Sequence, residues 1–137
     1  MITADQYFHD KPHTLKHGLS ADELLKRVNA LLAFAATCSA YTYPIDIDTM
    51  TQISGSRGGS GDGGFRLSNA ATGAAKSSHK EARGVDVFDP NEVLDNWLTD
   101  NVLSEYGLYR EHPDHTPGWC HLSTRPPGSS LRTFRIK

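Results

Sequence analysis

Hydrophobic residues recur at helical spacing in an early stretch of the chain. Its apolar positions are Leu24, Leu25, Val28, Leu31, Leu32 and Ala35. Positions three and four apart lie on one face of a helix, so the pattern predicts an amphipathic helix over residues 21–37. Ser20 and Glu23 have the spacing of a capping box at its start. We expect this helix to cover a sheet.

A second stretch shows the same periodicity. Its apolar positions are Val93, Leu94, Trp97, Leu98, Val102 and Leu103. Asp89 and Pro90 precede them as a capping residue and a first-turn proline, and Glu92 completes a capping box. Gly107 can end the helix in a left-handed conformation. The pattern predicts a helix over residues 90–106.

Three short segments, at 85–88, 108–110 and 119–122, are predicted to be strands. Because both amphipathic helices need an apolar surface to cover, we expect an α+β fold. It would consist of a small, mostly antiparallel sheet with the two helices packed against it. Cys120 would be a small core residue, since neighbouring strand positions face opposite sides of a sheet.

The length of 137 residues and the 37% hydrophobic content predict a single globular domain. The polar, histidine-containing residues 1–18, interrupted by Pro12, are expected to form a solvated N-terminal arm. Residues 125–137, with Pro126, Pro127 and Gly128, are expected to form an extended tail that could dock to a partner.

Charge and hydropathy exclude several classes of partner. The net charge is −2 and the chain has no dense run of Lys and Arg, so neither a nucleic acid nor an anionic membrane surface is an expected partner. The longest apolar run, near residues 30–36, is too short to span a bilayer. The N-terminus lacks the pattern of a signal peptide, and we therefore expect no export by the usual route.

Metal-ligand chemistry is concentrated in two segments. His79 and Asp86 are seven residues apart, and the small residues Ala82 and Gly84 between them permit a tight turn into a strand. Catalytic zinc sites use about three protein groups and leave one position open for water. His121, in the apolar run 119–122, is the third candidate ligand, and we expect the sheet to carry all three.

These residues resemble a known family of zinc peptidases. The motif Ser77-x-His79-x6-Asp86, followed by Trp119-x-His121, is similar to that of the D-alanyl-D-alanine carboxypeptidase family, Ser-x-His-x-x-Gly-x-Ala-x-Asp and then Trp-x-His. Lysostaphin-type enzymes and the Hedgehog domain share this site layout. The resemblance covers roughly residues 54–122 and implies that His79, Asp86 and His121 bind Zn²⁺. Ala82 and Gly84 exchange the family's two small residues.

The resemblance also implies substrate-binding residues. Ser54-Gly55-Ser56-Arg57 resembles the family's Ser-Gly-Tyr-Arg segment, in which the arginine receives the substrate's terminal carboxylate. A planar guanidinium suits this task because it can make two parallel hydrogen bonds. Arg66 is a second candidate for the same role. Alternatively, both arginines are solvated loop residues. Ser77, the first residue of the zinc motif, is a third candidate substrate-binding residue.

A proton carrier is also needed, because the attacking water loses a proton and the leaving amine gains one. The family places a glutamate three residues before the last histidine, where this chain has Gly118. The preceding loop offers four replacements, Glu111, His112, Asp114 and His115. Of these we favour Glu111 by residue type, and Asp114 or His115 by proximity in sequence.

The expected function is hydrolysis of peptidoglycan stem peptides by a zinc-dependent D,D-carboxypeptidase or endopeptidase. With no export signal, the resemblance points to a bacteriophage protein, an endolysin held in the host cytoplasm until lysis or a component of the virion bound to other virion proteins. The alternative is a zinc-binding structural domain of a phage particle that has lost the catalytic base.

Overall fold

The structure is a computed structural model that describes residues 1–41, 53, 63–70 and 77–135. Its α-helices are α1 (Ala4–Phe8), α2 (Leu15–Thr37), α3 (Val93–Trp97) and α4 (Asp100–Glu105). Its strands are β1 (Gly84–Phe88), β2 (Tyr109–Glu111), β3 (Trp119–Ser123) and β4 (Thr133–Phe134). Two 3₁₀ helices, Ser78–Glu81 and Pro113–His115, precede β1 and β3. The predicted α+β class is confirmed.

The four strands form one sheet in the order β1-β3-β2-β4. β3 pairs antiparallel with both β1 and β2, whereas β4 pairs parallel with β2. The sheet is therefore mixed, and the prediction of a mostly antiparallel sheet is wrong. The difference arises because part of the predicted tail crosses back and runs beside β2 in the same direction.

Helix α2 begins earlier than predicted. Thr14, not Ser20, is the N-cap: its hydroxyl accepts from the backbone N–H of His17 at 3.1 Å, and the His17 ring accepts from the backbone N–H of Thr14 at 3.3 Å. A histidine thus completes a capping box that usually has a glutamate or glutamine. The predicted apolar face is confirmed, because all six of its positions are buried.

The N-terminal segment is not the solvated arm that we expected. Ile2, Tyr7 and Phe8 are buried. The hydroxyl of Tyr7 donates to the carbonyl of Gly84 at 2.8 Å, and the carbonyl of Tyr7 accepts from Phe65 at 2.9 Å. The prediction gave the polar residues of the segment too much weight, since three apolar side chains are enough to anchor its first turn in the core.

The predicted helix over 90–106 is two helices with a break at Leu98, whose ψ of 135° is extended. The hydroxyl of Thr99 caps α4 by accepting from Val102 at 3.3 Å. The carboxylate of Asp89 accepts from the backbone N–H groups of Leu94 and Asp95, in the first turn of α3, at 3.1 and 3.0 Å. Gly107 ends α4 with a φ of +67°, as predicted.

The helices and the sheet share one hydrophobic core. Cys120 is fully buried in it, which confirms its interpretation as a small core residue. Within the described ranges, no helix combines the length and the apolar character needed to cross a membrane.

Candidate metal centre

The sheet aligns three ionisable side chains in one row. Asp86 of β1 and His121 of β3 are direct partners in the antiparallel register. On the other side of β3, Arg110 is opposite Leu122, so the same register sets Glu111 of β2 opposite His121. Directly opposite residues project from the same face with Cβ atoms about 5 Å apart. The row is therefore Asp86, His121 and Glu111.

His79 reaches this row from outside the sheet. It lies in the 3₁₀ helix Ser78–Glu81, whose N-cap Ser77 accepts from the backbone N–H of His79 at 3.2 Å. Ala82 then takes a left-handed conformation, φ 57°, and turns the chain into β1. His79 lies outside the sheet, so the expectation that the sheet carries all three candidate ligands is wrong for this residue. The tight turn at Ala82 brings its imidazole back over β1.

Three ligand atoms converge at this point. The Oδ1 atom of Asp86 lies 2.9 Å from Nδ1 of His121 and 3.2 Å from Nε2 of His79. All three ligand atoms lie within 4.8 Å of one another. The exposed fractions are 3% for His79, 8% for His121 and 9% for Asp86. This buried His-Asp-His cluster can hold a metal ion.

Hydrogen bonds on the far side of each imidazole support this conclusion. Nδ1 of His79 lies 2.8 Å from the carbonyl of Gly64, which can only accept, so Nδ1 carries a hydrogen. With a hydrogen on Nδ1, Nε2 of His79 faces the carboxylate of Asp86 at 3.2 Å, where a proton or a metal cation can lie between the two atoms. Nε2 of His121 similarly lies 3.3 Å from the hydroxyl of Ser78, which can accept from it. Metal-binding histidines are usually oriented in this way.

Asp86 is held in its charged form. Burial alone would raise the pKa of its carboxyl group, but the charges and hydrogen bonds of His79 and His121 outweigh burial and hold the pKa below its ordinary value. Nη2 of Arg66 lies 3.4 Å from the second carboxylate oxygen, Oδ2. Arg66 therefore orients the carboxylate so that Oδ1 faces the two imidazoles.

Glu111 shares this electrostatic environment. Burial raises the pKa of its carboxyl group, the charge of His121 lowers it, Asp86 raises it and Arg66 lowers it. The side chain is half-buried at the edge of the cluster. A carboxylate with a raised pKa next to a metal site is suited to accept and release protons.

The other two candidate bases are exposed. Asp114 and His115 lie in the 3₁₀ helix Pro113–His115. The carboxylate of Asp114, whose side chain is 66% exposed, binds the guanidinium of Arg135 at 3.2 Å. The geometry thus favours Glu111 over the two residues that are closer to His121 in sequence.

The candidate substrate residues have different locations. Arg66 is at the cluster, 11% exposed and paired with Asp86. Ser77 caps the 3₁₀ helix that carries His79. Arg57 lies outside the described residues.

Sequence reasoning missed Gly64 and Ser78, which orient the two imidazoles. A backbone carbonyl carries no side-chain signal, and Ser78 contacts a histidine 43 positions away. Gly84 was the only sequence signal for the contact between Ser78 and His121. A Cβ atom there would lie 2.3 Å from the Ser78 hydroxyl oxygen and 3.1 Å from Cε1 of His121.

No family model, curated protein or solved structure matches this chain.

Proposed function

We propose that the protein is a zinc-dependent peptidase with His79, Asp86 and His121 as metal ligands and Glu111 as general base. The observation that carries the proposal is the row Asp86, His121 and Glu111, with His79 folded over it. Two imidazoles and one carboxylate form a ligand set that suits zinc, and three ligands leave a coordination position open.

Each residue has a defined task in this proposal. Bound zinc would polarise a peptide carbonyl and lower the pKa of a water molecule to about 7. Glu111 would accept the proton that this water loses on attack and pass it to the leaving amine. Arg66 keeps the Asp86 carboxylate oriented, while the Gly64 carbonyl and the Ser78 hydroxyl hold the ring nitrogens of His79 and His121 that face away from the proposed metal position.

The backbone conformation at position 118 is unsuited to a glutamate. Gly118 has a φ of +90°, a conformation that L side chains rarely adopt. A glutamate at this position would be strained, so the backbone conformation of this loop favours glycine. A general base would therefore have to come from another element. Glu111, on the strand beside His121, is such a group.

The substrate class and biological context rest on the sequence resemblance. We propose peptidoglycan stem peptides as substrates, cut by carboxypeptidase or endopeptidase action, in a phage-encoded endolysin or virion protein. A zinc-bound structural domain of a phage particle is the second candidate, favoured by the missing glutamate at position 118.

Zinc-loaded protein incubated with purified stem peptides tests the proposal. Glu111→Gln should lower turnover by about two to four orders of magnitude, the usual size of a general acid–base contribution, with zinc content unchanged. Asp114→Asn is the matched control and should retain activity, because its exposed carboxylate binds Arg135. If zinc-loaded unmodified protein hydrolyses no stem peptide, the peptidase proposal fails and the structural domain is favoured.

A further inference from the structure

Residues 63–66, here called the orienting segment, lie against two of the candidate metal ligands. The first carbonyl of the segment accepts from the backbone N–H of Asp86 at 2.7 Å. The next carbonyl, that of Gly64, lies 2.8 Å from Nδ1 of His79. Arg66 donates through its backbone N–H to the carbonyl of His79 at 3.2 Å, and its guanidinium lies 3.4 Å from Oδ2 of Asp86. The position of the orienting segment therefore determines how the two ligands face each other.

Contacts from the N-terminal segment hold the orienting segment in place. The backbone N–H of Phe65 donates to the carbonyl of Tyr7 at 2.9 Å. The carbonyl of Phe65 accepts from Nζ of Lys11 at 2.8 Å. The Phe65 ring packs edge-on against the ring of Phe8, at a centroid distance of 5.2 Å. Both backbone groups of Phe65 are therefore bound by residues of the N-terminal segment.

The N-terminal segment and the orienting segment are also closely packed. A Cβ atom at Gly64 would overlap the carbonyl oxygen of Tyr7 and lie 3.0 Å from its carbonyl carbon. Tyr7 is fully buried, and its hydroxyl donates to the carbonyl of Gly84 at 2.8 Å. Tyr7 thus contacts both the orienting segment and strand β1, which carries Asp86.

Lys11 extends from a backbone that is itself ordered by contacts. Its N–H donates to the carbonyl of Phe8 at 2.9 Å, and its carbonyl lies 2.9 Å from Nδ1 of His13. The ring of His13 stacks on the ring of Phe8 at a centroid distance of 3.5 Å. Because neighbouring contacts fix this backbone, the partly buried side chain of Lys11 can hold the Phe65 carbonyl at a defined position.

We propose that Lys11 is a positioning residue for the metal centre. Its ammonium group fixes the Phe65 carbonyl, and the orienting segment is then aligned with His79 and Asp86. Lys11 acts through this segment and not on the metal itself. The inference rests on the ligand set of the proposed function, and it gives the N-terminal segment a role in that site.

The zinc affinity of Lys11→Met tests the inference. The variant keeps a long side chain but cannot donate to the Phe65 carbonyl. Loss of a positive charge would by itself favour a bound cation, whereas loss of positioning should weaken binding. We expect zinc affinity to fall about three- to tenfold, less than the 10- to 100-fold that is typical when a direct orienting contact is lost. Competition with a chromophoric chelator measures it, at a temperature at which circular dichroism shows each protein to be folded.

Cobalt provides a second measurement that does not depend on peptidase activity. The visible absorption of bound Co²⁺ depends on the arrangement of its ligands. We expect the absorption bands of Lys11→Met to differ from those of the unmodified protein. Lys11→Arg keeps an N–H donor and should restore both the bands and most of the zinc affinity.

Two control variants separate positioning from charge and from stability. Lys26→Met removes an exposed positive charge of α2. Thr99→Ala removes the N-cap of α4 and should lower the melting temperature. Neither variant should change the zinc affinity or the cobalt bands. The inference is wrong if Lys11→Met binds zinc as tightly as the unmodified protein, or if Thr99→Ala weakens binding as much as Lys11→Met does.

Hydrolysis of stem peptides distinguishes failure of this inference from failure of the proposed function. If Lys11→Met loses zinc affinity while the unmodified, zinc-loaded protein cleaves no stem peptide, the inference stands and the peptidase proposal fails. If the unmodified protein is active and Lys11→Met has unchanged zinc affinity and cobalt bands, the peptidase proposal stands and the inference is wrong. An unmodified protein that binds neither metal would overturn both.

Discussion

Positions 82 and 84 determine how His79 is brought to Asp86. Ala82 is buried with a φ of 57°, a conformation that glycine adopts more readily. Gly84 lies in β1 against Ser78 and His121, where a Cβ atom has no room. The two small residues therefore have different tasks, the first in the turn and the second in the close approach of a strand to the imidazole.

Gly84→Ala should weaken metal binding. The added methyl group would displace the Ser78 hydroxyl, 2.3 Å away, and press on the ring of His121. Loss of such orienting contacts typically lowers metal affinity by about 10- to 100-fold. Competition with a chromophoric chelator measures the change.

Gly18→Ala is the control for this substitution. A Cβ atom at position 18, inside α2, meets nothing within 4 Å, so metal affinity should not change. The helix should gain about 0.5–1 kcal/mol of stability. Equal metal affinities for Gly84→Ala and the unmodified protein would contradict the proposed role of Ser78.

At the scale of the elements, the opposite face of the sheet holds the broken helix in place. Arg110 of β2 alternates with Glu111, so its side chain projects away from the metal centre. Its guanidinium donates to the carbonyls of Asp95 at 2.6 Å and Leu98 at 3.1 Å. The break between α3 and α4 leaves these carbonyls without helical partners, and Arg110 satisfies them.

Arg110→Met should destabilise the fold by about 3–5 kcal/mol, the usual effect of removing one partner of a buried ion pair. The variant leaves the buried Asp95 carboxylate without the guanidinium 3.4 Å away, and both carbonyls without donors. Chemical denaturation measures the loss. A change below about 1 kcal/mol would mean that water replaces Arg110 there.

Asp95 should make stability depend on pH. Burial raises the pKa of its carboxyl group, although the hydrogen bond with Cys120 and the charge of Arg110 lower it. Because the pKa is higher in the folded state, its contribution to the free energy of unfolding is full below the ordinary value of 3.8 and is lost as pH rises through the raised value.

Asp95→Asn isolates this contribution. The variant cannot titrate at position 95, so its stability relative to the unmodified protein should rise across that pH range. Unfolding curves for both proteins at several pH values measure the difference. A difference that does not change with pH would show that Asp95 titrates normally.

At the scale of the whole molecule, the metal centre connects segments that are distant in sequence. Gly64, the segment from Ser77 to Asp86, and strands β2 and β3 all contribute to it. Helix α1 is connected to this region by the hydrogen bond that the Tyr7 hydroxyl donates to the carbonyl of Gly84. Any ligand that holds this site together stabilises the entire fold.

Chelation should therefore lower the melting temperature of the zinc-loaded protein. A ligand that binds only the folded state contributes about 2.7 kcal/mol when its free concentration is 100 times its Kd. His79→Ala is the control, since its melting temperature should be independent of zinc. An unchanged melting temperature of the unmodified protein, after zinc removal has been verified by metal analysis, would contradict the site.

The predictions from sequence succeeded where a local pattern determines the structure. The apolar face of α2, the central strands and Gly107 follow from periodicity and from backbone chemistry that neighbouring residues define. The order of His79, Asp86 and His121 identified a potential metal cluster because those residue types have few other reasons to occur in that pattern.

The predictions failed where distant contacts outweigh local preference. The single helix over 90–106 is broken where Arg110 binds its carbonyls, and the expected arm is anchored through Tyr7. The choice of Glu111 among the three favoured bases depends on strand register. The register sets Glu111 opposite His121, which is ten residues away in the sequence.

The sequence by itself indicated the three side chains that could hold a metal ion, the α+β class and the buried faces of the main elements, because each follows from residue type and spacing along the chain. Only the tertiary structure decided the hydrogen-bond partners of the two imidazoles, the parallel pairing of β4 with β2 and the position of Glu111. Those features depend on pairings between residues far apart in the chain, and such pairings form only when the whole core is buried.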